Sequence, residues 1–149
     1  MSFADLPAHW PRLPLTPVPL VHDVLDLCVS NADRLHGGLA VLVLRDDLTL
    51  AQPIFVRGPV PVLDRHETVK ALLREASGGG GERSFVVAIV HQHPRFTDDD
   101  RAQHQTLIDA CTELGFTLLS AHLLANGRPQ LLPRAPSVLR GRRGPAGCT

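Results

Sequence analysis

The chain has 149 residues, 44% of them hydrophobic and 20% charged, with fifteen Lys and Arg side chains against fifteen Asp and Glu. That length and apolar content suffice for one buried core, which excludes a chain disordered throughout. The balanced charge argues against wrapping nucleic acid by bulk electrostatics, and the longest apolar runs, six residues each, fall far below the roughly 20 that a bilayer-spanning helix needs.

Residues 1–20 carry Pro7, Pro11, Pro14, Pro17 and Pro19. Proline fixes φ and disfavours helix in the residue before it, so this segment is predicted to be an extended arm, with Trp10 pinning it to the body. The arm contains no basic segment leading into an apolar one, so it does not read as a secretory signal, and cytoplasmic residence is the expectation. Val24, Leu25, Leu27, Cys28 and Leu35 recur near helical spacing and predict a helix over 21–35 that ends before Gly37-Gly38. Leu39 to Leu44 reads as a buried strand, Asp46-Asp47 as a turn, and Leu48 to Val56 as a second strand. Pro53 cannot donate to a ladder and marks that strand as bent or at an edge. Asp64 to Ala76, with Val69, Leu72 and Leu73 on one face, is a surface helix on which Asp64 and Glu67 have the spacing of a cap and its third residue.

The glycine-rich tract from Ser77 to Arg83 is expected to form a flexible loop. Phe85 to Val90 is unbroken, apolar and rich in β-branched residues, as in a strand covered on both faces. Thr97 to Leu114 follows as a helix with Leu107, Ile108, Cys111 and Leu114 inward and Gly115 as its stop. Phe116 to Leu119 and His122 to Ala125 are strand material, Asn126-Gly127 a tight turn, and Gln130 to Leu132 a returning strand. The chain thus divides into an arm over 1–20, a domain over 21–135 and a basic, glycine-rich tail over 136–149 that is expected to be disordered. Cys28, Cys111 and Cys148 are odd in number and contain no CxxC pair, which suits reduced thiols.

The chemistry concentrates between His91 and Asp100. Side chains alternate along a strand, so His91 and His93 should leave the strand's end on one side and present two imidazoles to one ion. Pro94 turns the chain into a helix whose first turn carries Asp98, Asp99 and Asp100, and Asp100 can supply a third ligand. Zinc takes such a set and leaves a fourth position for water, the arrangement of hydrolytic sites. Thr97 could then donate to a developing oxyanion. Taken singly, the same features have structural readings: an HxH pair is common, and Thr97-x-x-Asp100 is an ordinary helix N-cap. His104 lies one turn after Asp100 and reads as a ligand, a supporting donor or part of a solvated face, while His122 reads as a satisfied core imidazole.

His91-x-His93-Pro94 followed by Thr97-x-x-Asp100 resembles the metal motif of the JAB/MPN (JAMM) superfamily. Arg57-Gly58, Arg65-His66-Glu67 heading a helix, the apolar strand into HxHP, Ala110-Cys111, Leu114-Gly115, Leu118-Leu119 and His122-Leu123-Leu124 follow the order of the RadC-like JAB domain over roughly residues 35–133. The resemblance implies an α/β fold of JAB/MPN, cytidine-deaminase-like, architecture: a mixed sheet flanked by helices, with zinc at a strand end. It implies a peptidase or isopeptidase acting on peptide or isopeptide-linked protein, with an upstream glutamate as general base. No glutamate lies between Leu39 and Val62, and Glu67 is the best substitute. The chain has Gln92, Arg95 and Phe96 where RadC proteins usually have Asn, Ser and Gly, and its HxHP-to-Asp loop is shorter, so Asp98 and Asp99 stand beside Asp100 as candidate ligands. Two other functions follow from the same resemblance: a JAB-fold binding or scaffold module without catalysis, and a DNA-repair accessory role of RadC type, which the neutral charge does not favour. Arg140, Arg142 and Arg143 read as solubilising residues before nucleic-acid contacts.

Overall fold

A computed structural model describes residues 6–58, 63–78, 83–125 and 128–133. The centre of the glycine tract, the Asn126-Gly127 turn and the 136–149 tail lie outside the described residues. The elements run α1 (Val18–Cys28), α2 (Asn31–His36), β1 (Gly38–Leu44), β2 (Leu50–Arg57), α3 (Arg65–Ala76), β3 (Ser84–His91), α4 (Asp98–Leu114), β4 (Thr117–Ala125) and β5 (Arg128–Leu131). The five strands form one mixed sheet in the order β2-β1-β3-β4-β5. β3 and β4 are parallel, joined through α4 as parallel neighbours must be by a crossover, and the other pairings are antiparallel.

Alternation along the central strands builds two cores. Leu39, Val41 and Val43 of β1 and Phe85, Val87 and Ile89 of β3 pack with Val69 and Leu73 of α3 and Leu107 and Cys111 of α4. The intervening Ala40, Leu42 and Leu44, with Val86, Ala88 and Val90, pack instead with Leu15, Val21, Val24 and Leu25. The sheet therefore has helices on both faces, and β1 and β3 are apolar throughout because neither face meets water. Among the described residues no helix is long and apolar enough to cross a membrane.

Four local expectations are corrected. The proline-rich segment is not extended to residue 20: Trp10–Arg12 form a 3-10 turn, and α1 already starts at Val18, with a proline in its first turn, where a missing N–H costs no helical bond. Trp10 does pack against the second core. The single helix over 21–35 is two, because Ser30 caps a new one, its Oγ accepting from the Asp33 N–H at 3.1 Å. Asp64 does not cap α3 by its side chain; it adopts the left-handed conformation (φ 66°) and makes no cap hydrogen bond. β2 is an edge strand, as Pro53 foretold. The two strand fragments after Gly115 are one strand, β4, with Leu119 as an extra residue where the register against β3 shifts.

Candidate functional site

β3 ends at His91, and the parity that sends Phe85, Val87 and Ile89 toward α3 and α4 sends His91 the same way. There it meets Asp100 in the first turn of α4: His91 Nε2 and Asp100 Oδ2 lie 2.7 Å apart. The carboxylate is 3% exposed. The same Oδ2 accepts from the Thr97 N–H at 2.9 Å, while Thr97 Oγ1 accepts from the Asp100 N–H at 3.0 Å, completing a reciprocal capping box. Thr97-x-x-Asp100 is thus a helix cap, and its carboxylate also engages an imidazole. Thr97→Ala removes half of the box and is expected to cost about 1 kcal/mol of stability, read as a fall in the urea midpoint; an unchanged midpoint would show that the cap contributes nothing.

The neighbouring acids point elsewhere. Asp99 pairs with Arg65 at 2.9 Å and Asp98 with Arg101 at 3.0 Å. Of the three, Asp100 is the one against His91. Phe96 gives the loop an anchor: it packs on the first core and lies under the Arg101 guanidinium, 5.2 Å from ring centroid to carbon.

His93 does not leave the strand beside His91. The chain bends at Gln92, whose Nε2 donates to the Arg34 carbonyl at 3.3 Å, so strict alternation ends one residue early. The two rings stand edge to face with centroids 6.2 Å apart, and His93 Nδ1 accepts from the Arg95 N–H at 3.2 Å. Among the described residues no three His, Cys, Asp or Glu side chains converge as a group able to hold a metal. Buried His91 Nδ1 has no hydrogen-bond partner. Rings sharing one tetrahedral zinc would have centroids about 5 Å apart, and a nitrogen and oxygen on it would be separated by about 3.3 Å. The ring-centroid spacing and the His91–Asp100 approach each differ from these values by roughly an ångström or less.

Glu67 is 71% exposed, with its carboxylate 3.7 Å from Lys70 Nζ; Lys70 in turn lies 3.2 Å from Glu113. Glu113 is thirteen residues beyond Asp100 on α4, about 20 Å along the helix. The His66 and Lys70 contacts hold the Glu113 carboxyl below its ordinary range.

The remaining histidines divide by burial. His122 on β4 is fully buried, with Nδ1 3.0 Å from His22 Nε2 and Nε2 2.8 Å from Ser120 Oγ. Burial, and then the facing His22, push its pKa down to about 4. This is the satisfied core imidazole that strand placement suggested, but its partner on α1 lies 100 residues away and no sequence spacing announces it. His104 is buried, and its ring forms no hydrogen bond with His91 or Asp100. Burial raises the Cys111 thiol to about 11, which leaves it inert as a nucleophile at neutral pH. No family model matches the chain, and no curated protein matches it.

Proposed function

We propose that the chain is a RadC-like domain of the JAB/MPN type in which His91, His93 and Asp100 hold a zinc ion and serve hydrolysis of a peptide or isopeptide bond. The observation that carries this reading is the 2.7 Å approach of His91 Nε2 to Asp100 Oδ2 across the β3-to-α4 connection. An acid in a helix cap needs no imidazole, and a strand-end imidazole needs no buried acid. The mixed sheet with helices on both faces supports the architecture. Bound there, zinc would polarise water and the scissile carbonyl. The capping box fixes the Asp100 carboxylate before any ligand arrives, so little ordering remains to be done on binding. Thr97 Oγ accepts from the Asp100 N–H and keeps its own proton to donate to an oxyanion.

The purified full chain is expected to carry zinc near one equivalent, and His91→Ala and Asp100→Ala are expected to lose it. Metal-free wild-type protein of normal fold that takes up no added zinc overturns the reading. Exposed Glu67, held by Lys70, favours a second reading, a zinc-binding JAB-fold module that docks a partner without cleaving it. A peptide and isopeptide panel decides between the two. Turnover that falls at least tenfold in Glu67→Gln supports Glu67 as the proton acceptor; zinc-loaded protein with no turnover selects the binding module.

A further inference from the structure

We propose that the groove between α4 and the β4–β5 edge binds an uncharged, largely apolar small molecule bearing a hydroxyl or carbonyl group. The groove has a volume of about 460 Å3 and shares no residue with the His91–Asp100 site. Pockets for small ligands run from about 300 to 1,000 Å3 with mainly apolar walls and a few placed polar groups. Val18, Phe116, Leu118 and Leu131 supply such walls here, and among the described residues none lining the groove is charged. A charged ligand would surrender its hydration there without a counter-charge, whereas an uncharged one would not.

His104 supplies the polar anchor. It borders the groove from α4, is only 8% exposed, and its ring has no hydrogen-bond partner among the described residues. Burial lowers its pKa and keeps the ring neutral, so one nitrogen carries a proton and the other a lone pair. The ring thus offers one donor and one acceptor to a ligand hydroxyl or carbonyl. Ser120, which also borders the groove, is engaged by His122 Nε2 at 2.8 Å, and Thr112 donates to the Ile108 carbonyl, whereas the His104 ring makes no hydrogen bond among the described residues.

Titration of the full chain with 1-naphthol, naphthalene and 1-naphthoate, followed by calorimetry and fluorescence, tests this. Saturable one-to-one binding of 1-naphthol is expected, with naphthalene weaker by about tenfold for want of the hydrogen bond, and naphthoate weaker still. In His104→Phe, 1-naphthol should fall to the level of naphthalene while naphthalene itself is unaffected; His104→Leu gives the same comparison if the phenylalanine variant does not fold. Absence of saturable 1-naphthol binding overturns the proposal, as does naphthoate binding as tightly as 1-naphthol. So does a hydroxyl preference that survives both substitutions.

Discussion

Gly38→Ala is expected to remove about 3 kcal/mol or more of folding stability, enough to unfold a domain of ordinary marginal stability in large part. Gly38 opens β1, where it pairs with Arg57 of β2 on one side and Val90 of β3 on the other. A Cβ placed on it would overlap the Val56 carbonyl oxygen and crowd the Val56 carbonyl carbon and Arg57 Cα at 3.0 and 3.1 Å. These are backbone atoms of a paired strand, and they cannot step aside without breaking the ladder. The φ of 154° adds to the cost, because a side chain rarely adopts it. Gly58→Ala is the control: its φ is 83°, but nothing lies within 4 Å of the added carbon, so the loss there should be nearer 1 kcal/mol. Urea midpoints measure both. Equal midpoints for the two variants would show that the close passage of β2 over Gly38 does not govern the stability of this edge.

Acidification from pH 7 to pH 4 is expected to cost about 3 kcal/mol through His122 alone. In the fold the ring stays neutral down to about pH 4, whereas in the unfolded chain it takes a proton near the ordinary 6.5. Between those values the unfolded state binds more protons, so stability falls as pH drops through the window and levels off below it. His22 and His104 are also lowered by burial and steepen the slope in the same direction. Glu113 and Asp47, both held below the usual carboxylate range by hydrogen bonds, extend the loss to lower pH. His122→Leu takes out the titrating group. Its stability at pH 7 should be lower, since Ser120 and His22 lose their partner, but its dependence on pH between 6.5 and 4 should flatten. Parallel pH profiles for wild type and variant would show that His122 is not the acid-sensitive element.

The pH and zinc measurements also inform each other. His91 Nε2 and Asp100 Oδ2 lie 2.7 Å apart, and a zinc ion held by both would have to enter between them. Added zinc should therefore raise the unfolding temperature of the wild type and leave that of His91→Ala unchanged.

The composition of the chain determined the layered sheet. Six-residue apolar runs at Leu39 to Leu44 and Phe85 to Val90 leave no face for water, so each had to be a central strand, and Pro53 could only sit at the sheet's edge. Local chemistry likewise marked the ends of α4, because Thr97 and Gly115 act through bonds to residues a few positions away. Other features depended on distant partners. Apolar spacing continues across both the break at Ser30 and the helical start at Val18; the break is made by the Ser30 cap, and α1 is set where Val21, Val24 and Leu25 pack against the sheet. Which of the three aspartates meets His91 depends on the direction in which α4 leaves the loop, which turns the Asp100 carboxylate inward to His91 and the others to Arg65 and Arg101. The pairing of His122 with His22 is likewise a contact between a strand and a helix whose relative orientation no spacing encodes. A periodic pattern states which face of an element is buried; which side chain it then meets is fixed by how the layers are stacked, and that is a property of the assembled fold.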